Sequence, residues 1–550
     1  MSTDLLGGEL IIVILFFLLV ALPLGLAAAW LILNRYRQAV SQVMGTSSST
    51  TQSLGISPSP IQPNAPRPGR SLHIQVEEAE SAPLVTAGSD PLARREKSAR
   101  VRLALVYAFG GAAQALIIAL FYFPIHEIEL RLYPFFFLWL TLAWPVSLSA
   151  MEILSATPRR KWLIPAGILL IFVLVAPSDA KGMILIFWPV WVAIPALISA
   201  AAFHPKVRTV APIAIGIALF AIFVLNLALS LAYFLGVNFV SGATAIVIAG
   251  LIALAVLVFG GRAIAIRFAR RYTQKAWNDP MLLLNLSWLL YALWQSAFLA
   301  PTIDSNLPFF LGLTTLLGYA AFWWIVRYGL HWASSQINET PNVPLLLLRV
   351  FRFPERSAQL MDELSLRWRF LGNIHLIAAP DLALGLLEPH ELINFVSGRM
   401  ETGYVSSRAD LESRLPTLDT QRDPDGRFRV HEFFAYDNTW LFTVQQLIDL
   451  SQVVLMDLRS YSPQRRGCTE EIRQLFNRID LQRVVFLVNG ETDMDFLRGT
   501  MEEAWAGLVP LSPNRASPSP TARVVRMSDH SAKAITFLLG TLFGAVDKLL

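Results

Sequence analysis

The stretch VVLMDLRSYSPQRRGCTEEI holds the residue types best suited to chemistry in this 550-residue chain. An apolar run ends in Asp457. A polar, basic loop follows with Arg459, Arg465 and Arg466, and a helix then opens with Glu470 and Glu471. An aspartate at a strand end either meets a ligand or bonds the amides of its own loop, and both readings stand. The arginines suit phosphate oxygens, because a guanidinium forks two donors toward an anion. A solvated loop or an anionic lipid surface would use them equally well. Acids in the first turn of a helix are favoured by its dipole, by about 0.3–1 kcal/mol, whatever else they do.

Several chemistries are excluded. A single cysteine, Cys468, rules out an internal disulfide and a multi-cysteine metal centre. His375, His390 and His431 show no metal-ligand spacing. Neither G-x-x-x-x-G-K-[ST] nor G-x-G-x-x-G is present, which removes kinase and nucleotidase readings. The run DPDG at 423–426 begins like a calcium loop but lacks the distal glutamate, so a turn is expected.

The elements around this stretch read as a separate α/β body. Apolar runs at 345–351, 373–379, 453–457 and 483–488, with a further one in ARVVRM, predict strands. They alternate with helices expected at 438–450, 468–480, 492–505 and 528–550. Unbroken apolar strands are those of a parallel sheet buried on both faces, and alternation with helices implies a doubly wound sheet. An insertion after the second strand predicts a helix at 389–399 and an extra strand at 429–435. In such sheets ligands bind beyond the carboxyl ends of the strands, where Asp457 and Asp381 fall. The last helix has an apolar centre of residues 534–546, short for a membrane span and suited to packing on a sheet.

The rest of the chain is membrane-like. Only 15% of residues are charged and 54% are hydrophobic, which sets it apart from an ordinary soluble protein. Nine spans are expected, at 10–33, 103–123, 133–154, 162–176, 183–203, 210–235, 243–260, 281–300 and 308–326. Basic residues crowd alternate loops, among them Arg94, Arg95, Lys97, Arg100 and Arg102 before the second and Arg262, Arg267, Arg270 and Arg271 after the seventh. That asymmetry predicts the N-terminus outside and the C-terminus in the cytoplasm, and accounts for the net charge of +5 without nucleic acid. The expected division is an anchor at 1–34, a disordered cytoplasmic linker at 35–100, a multipass helical region at 101–335 and a cytoplasmic α/β domain at 341–550. Gln114, Asn226, Asn285 and Gln295 are the polar residues within spans, fit for interhelical hydrogen bonds or for a substrate path.

The segment TWLFTVQQLIDLSQVVLMDLRSYSPQRRGCTEEI resembles the central part of a TIR (Toll/interleukin-1 receptor) domain. A helix ends in Ser451, an apolar strand and a polar loop follow, and Cys468, Glu471 and Ile472 match a Cys-x-x-Glu-aliphatic helix start. LLLLRVFRFPERSAQLMDELSLRW is similar to that family's first strand and helix, so the resemblance covers about residues 345–505. It departs from the family at Gly467, where a tryptophan is common, and in the long insertion. The resemblance implies a flavodoxin-like fold, self-association and, as in some members, hydrolysis of NAD with Glu471 acting on the ribose. A nearby carboxylate suits that step, because breaking a glycosidic bond to a cationic base builds oxocarbenium character. Asp457, Arg459, Ser460, Arg466, Asp381 and Trp440 are the expected ligand-binding set; Trp440 fits the core equally well.

The expectation is therefore a polytopic helical bundle with a TIR-like α/β domain in the cytoplasm, set in the inner membrane of a bacterial cell. Its partners are the bilayer, further copies of itself and a nucleotide of the NAD type as substrate, with no fixed cofactor. A non-enzymatic scaffold, or a transporter with a regulatory tail, is the alternative.

Overall fold

The computed structural model describes residues 71–79, 91–125, 129–142, 163–175, 238–263, 279–299, 308–335, 342–349, 367–377, 404–423, 426–436, 438–464, 466–517, 520–528 and 531–547, with scattered single positions between them. The chain divides into two compact units. One comprises residues 1–34, 97–336 and 387–396, and the other residues 35–96, 337–386 and 397–550.

The second unit is built on one parallel sheet. Its strands are β1 (His73–Glu78), β2 (Leu345–Arg349), β3 (Ile374–Ile377), β4 (Tyr404–Val405), β5 (Val430–Ala435), β6 (Val453–Asp457), β7 (Val484–Val488) and β8 (Thr521–Arg526). Their spatial order is β1-β8-β7-β6-β2-β3-β5-β4, and every pair is parallel. The inner five, β3-β2-β6-β7-β8, have the 2-1-3-4-5 order of flavodoxin-like sheets. The order reverses between β2 and β6. Every residue of β6 and β7 is buried, as their unbroken apolar sequence requires.

Helices cover the faces through one apolar stripe each. In α8 (Trp440–Leu450) the stripe is Val444, Leu447 and Ile448; in α9 (Arg466–Arg478) it includes Cys468, Ile472, Leu475 and Phe476. In α10 (Met494–Ala506) it is Leu497, Met501, Ala504 and Trp505. The closing helix, α11 (Ala532–Asp547), buries Ile535, Leu538, Leu539 and Leu542 and packs against β6 and β7. The described part of the insertion adds β4, β5 and the short helix α7 (Arg408–Arg414) beyond β3, extending the sheet sideways.

The segment expected to be a disordered linker contains β1. It docks along β8 from His73 opposite Thr521 to Glu78 opposite Arg526. Its signal was the alternation of Leu72, Ile74 and Val76 with polar residues inside a Ser/Thr/Pro-rich stretch.

The first unit is helical: α1 (Pro91–Ile125), α2 (Tyr133–Leu142), α3 (Leu163–Val175), α4 (Gly242–Ala255), α5 (Asp279–Leu299) and α6 (Pro308–Ser335). The nine-span expectation is overturned. Among the described residues two helices, Lys97–Pro124 and Gly242–Ala263, are long and apolar enough to cross a bilayer. The physical reason is that apolar composition was read as helix length: within the described residues α2 and α3 run over 10 and 13 residues, short of the roughly 20 a span needs. The expected span at 183–203, nearly all of that at 10–33 and most of that at 210–235 lie outside the described residues.

Glycines set the close approach of α1 to α6. A side chain at Gly110 would meet Phe322 and Val326, one at Gly318 would meet Gln114, and one at Gly329 would meet Val106. These pairs run in opposite directions along the two helices, so the helices are antiparallel. Trp288 fills the adjacent core, stacked on Phe322 at 4.1 Å and donating from Nε1 to Ser149 at 3.1 Å.

Candidate functional site at the carboxyl end of the sheet

Asp457 ends β6 at the reversal of strand order. It is buried and gripped by Arg459, two residues on. Arg459 Nε donates to Oδ1 at 2.8 Å, Nη2 to Oδ2 at 2.7 Å, and the Arg459 amide to Oδ1 at 3.2 Å. The loop-bonding reading of Asp457 is met: it accepts from the amide and the guanidinium of Arg459. Such a two-pronged, charge-assisted contact is strong and fixes geometry. It also occupies the guanidinium expected to meet phosphate.

Ser460 follows with φ of 61°, the left-handed region that non-glycine residues seldom enter. Its amide donates to Asn489 Oδ1 at 3.0 Å and its hydroxyl to Glu491 Oε2 at 2.6 Å. Asn489 Oδ1 also accepts from the Glu491 amide, and Thr492 Oγ1 donates to the Leu458 carbonyl. The loops after β6 and β7 are therefore cross-linked at several points. Tyr461, fully buried, ties the first of them to α9 and α10 through Thr469 Oγ1 at 2.7 Å and a tilted ring contact with Phe496 at 5.4 Å. Asn489, Glu491 and Thr492 were not singled out in the sequence. Their signal was an Asn-Gly turn placed after a buried strand.

Glu471 differs from its neighbour. Glu470 is half-exposed and accepts from Gln474 Nε2 at 2.7 Å. Glu471 is 4% exposed, on the same side of α9 as Cys468, Ile472 and Leu475, and its Oε2 is buried without a hydrogen-bond partner. Burial pushes its pKa up to about 8, so the carboxyl is largely neutral at pH 7. The helix-dipole explanation is corrected by the structure. α9 begins at Arg466, two residues earlier than expected, which places no acid in its first turn.

Trp440 opens α8 and packs, half-buried, against the core that also holds Cys468 and Ile472. That meets the core reading of this residue. Arg466 starts α9; its side chain, Arg465 and Asp381 lie outside the described residues, as do His390 and the helix expected at 389–399.

A second polar cluster lies at the opposite, amino edge of the sheet. Arg429 Nε donates to Asp423 Oδ1 at 2.9 Å and stands 3.6 Å from Asp419. Asn373 Nδ2 donates to the carbonyls of Asp419 and Arg429. The DPDG run forms the expected turn, with the Gly426 amide donating to the Asp423 carbonyl and Gly426 at φ of 84°. His375 and His431, paired across β3 and β5, stack at 5.3 Å. Burial first, and the neighbouring His431 second, lower the His375 pKa to about 3. Among the described residues no group of three His, Cys, Asp or Glu could hold a metal ion. The cluster locks the insertion onto β3.

No protein-family model, no curated protein and no solved structure matches this chain.

Proposed function

We propose that the chain is a membrane-anchored signalling or effector protein whose α/β unit binds a nucleotide of the NAD type beyond β2 and β6, with Glu471 acting on it. The observation that carries this reading is the state of Glu471. A carboxyl buried without a partner costs stability and contributes no structural bond, and such groups concentrate at functional sites. The proposal also rests on the resemblance of residues 345–505 to TIR domains.

In this reading the C–N bond between ribose and nicotinamide breaks, its electron pair leaving with neutral nicotinamide. Water adds at the ribose carbon and releases a proton. Neutral Glu471 donates a hydrogen bond to a ribose hydroxyl; once ionised it stabilises the positive charge building on the sugar. Asp457 and Arg459 hold the floor of the site as a neutral pair.

The membrane part of the proposal draws on exposure. Ile246, Val247, Leu251, Leu254, Val258 and Phe259 all face outward on the helix continuing α4, while Ala245 and Ala249 are buried. Apolar surface of that extent suits lipid rather than water. On α6 Trp324, Tyr328 and Trp332 form an exposed aromatic stripe near Arg327, whose guanidinium lies over Trp323 at 5.2 Å. Aromatic and basic residues together mark a membrane–water boundary. The antiparallel pairing of α1 and α6 puts that boundary at the end where Arg100 and Arg102 lie, in keeping with a cytoplasmic α/β unit.

Incubating the purified full-length protein with NAD and measuring released nicotinamide tests the enzymatic reading. Turnover that falls at least about 100-fold in Glu471→Gln is the expected result. A folded, concentrated sample without turnover, or one indifferent to Glu471→Ala, would overturn it. A scaffold without chemistry is the second reading, favoured by the engagement of Arg459 with Asp457. It predicts loss of assembly on replacing Arg473 and Arg478, which pair with Glu503 and Asp449 on neighbouring helices, and no effect of Glu471→Gln.

A further inference from the structure

The amino edge of the sheet carries a turn that is firmly held and yet apolar at its tip. α10 ends at Ala506, and the chain then leads toward β8. Leu508 is buried, and the Ser512 amide donates to the Val509 carbonyl at 3.0 Å, closing a turn with Pro510 and Leu511 at its centre. Buried side chains fasten this turn to the end of α9. Ser512 Oγ and Asn514 Nδ2 both donate to the Phe476 carbonyl at 2.8 Å, and Asn514 Nδ2 also donates to the Ile479 carbonyl at 2.7 Å. The Val509 amide donates to Asn477 Oδ1 at 2.8 Å, and Asn514 Oδ1 accepts from the Leu481 amide at 2.9 Å. Leu511 is nevertheless 94% exposed, the most of any large apolar side chain among the described residues. Val509, 45% exposed, stands two residues before it. On the other side of the α9 end, Leu450 closes α8 at 42% exposure, next to the Asp449 that pairs with Arg478. A single exposed leucine is ordinary. A leucine held out on a fastened turn, with two more apolar side chains flanking the same helix end, is a presented surface.

Charge is divided between the two edges of the sheet. In the loops at the amino edge Arg422, Arg427, Arg478, Arg483 and Arg515 are exposed or half-buried. The acids facing solvent there are Asp449 and Asp480, since Asp419 and Asp423 are buried against Arg429. At the carboxyl edge the described side chains reverse this balance. Glu491, Asp493 and Asp495 are exposed, while Arg459 and Arg526 are engaged by Asp457 and Glu78. A negatively charged surface is therefore drawn to the edge that carries Leu511 and repelled by the opposite one.

We propose that the amino edge of the α/β unit rests on an anionic bilayer surface. Leu511, Val509 and Leu450 enter the headgroup layer, and the surrounding arginines meet lipid phosphates. Apolar side chains set within a basic rim combine the two attractions that hold proteins in that layer. The loops of Ser460 and Glu491, at the other edge, then lie away from the lipid. The inference rests on the membrane-anchored reading and is independent of the reaction at Glu471.

The test places an environment-sensitive dye on Leu511→Cys in the full-length protein, reconstituted in phosphatidylcholine nanodiscs with about 30% phosphatidylserine. The native Cys468 is buried, which leaves the dye to the introduced thiol. The expected result is blue-shifted emission that headgroup-level spin-labelled lipid quenches. Quenching should fall when phosphatidylserine is omitted and when Arg478→Glu is added. A dye on Asp495→Cys, 97% exposed at the carboxyl edge, should be neither shifted nor quenched. A dye on Leu251→Cys, on the outward face of the helix continuing α4, reports the anchor separately through chain-labelled lipid. Quenching at 251 without quenching at 511 overturns the docking and leaves the anchor standing; quenching at neither overturns both. Equal quenching at 495 and 511, or quenching at 511 indifferent to phosphatidylserine, overturns the charge-directed surface. A blue shift at 511 that no labelled lipid quenches means that protein covers the turn, and overturns the proposal as well.

Discussion

Arg459 lies two residues beyond Asp457 and chelates both of its carboxylate oxygens, with the two side chains 9% and 6% exposed. A pair this dry depends on both members. Removing one leaves a buried charge uncompensated. Arg459→Ala is therefore expected to lower stability by about 3–5 kcal/mol. Asp457→Asn combined with Arg459→Gln should recover most of that loss. Urea unfolding of the full-length protein in detergent, run on both variants, checks it. Equal losses in the single and double variants would contradict the pairing argument.

Glu471 makes stability depend on pH in a defined direction. Its folded pKa, about 8, lies above the ordinary glutamate value. Its contribution is fully present below about pH 4.5. It declines as pH rises, because the unfolded chain ionises there first, and is gone above pH 8. Glu471→Gln should flatten this slope. Relative to the parent, the variant should gain up to about 3 kcal/mol between pH 5 and pH 8. Thermal melts across that range are the measurement, and parallel pH profiles for the two proteins would refute the assignment.

The difference between what was legible and what was not follows from the range of each interaction. β6 and β7 were readable because five consecutive apolar residues fix a strand buried on both faces. The parallel order followed from alternation with helices. The spans failed because hydropathy counts apolar residues, whereas a span needs one helix that is both long and apolar enough, and among the described residues two helices meet that. The engagement of Arg459 was invisible, since an arginine near a carboxylate in sequence predicts neither rotamer nor burial. β1 was lost because its short alternation of Leu72, Ile74 and Val76 sits inside a Ser/Thr/Pro-rich stretch and gains a partner only when β8 is beside it. Glu471 was found through a local pattern, but its lack of a partner depends on Ile472, Leu475 and the core they join.

His375 acts in the opposite pH direction from Glu471. Its folded pKa is depressed to about 3, by burial and then by the charge of His431. The neutral ring is therefore favoured in the folded state. Stability from this source is present above about pH 6.5 and lost as pH falls toward 3, where the unfolded chain takes up the proton first. His375→Phe keeps an aromatic ring against His431 and Phe433 without the titration. The variant should hold its β3–β5 edge to lower pH, with an acid-unfolding midpoint shifted down by about half a unit or more. Circular dichroism during acid titration measures this, and an unchanged midpoint would count against it.

Gly372 and Gly540 make a contrast that tests the packing itself. Gly372 follows the turn in which Trp368 O accepts the Leu371 and Gly372 amides, just where that turn meets the lead-in to β2. A Cβ on Gly372 would overlap the backbone of Val343, whose carbonyl also accepts from Trp368 Nε1. Neither side can give way cheaply. Moving Val343 breaks the Trp368 bond and strains the Asn342–Asn373 pair that aligns β2 with β3. Gly372→Ala is expected to cost about 3 kcal/mol or more. Gly540, inside α11, has open space around its Cβ position, so Gly540→Ala should stabilise by about 0.5–1 kcal/mol through helix propensity alone. Urea midpoints of the two variants should move in opposite directions. A shared direction would mean that the contact of the 368–372 turn with β2 is not the close one described.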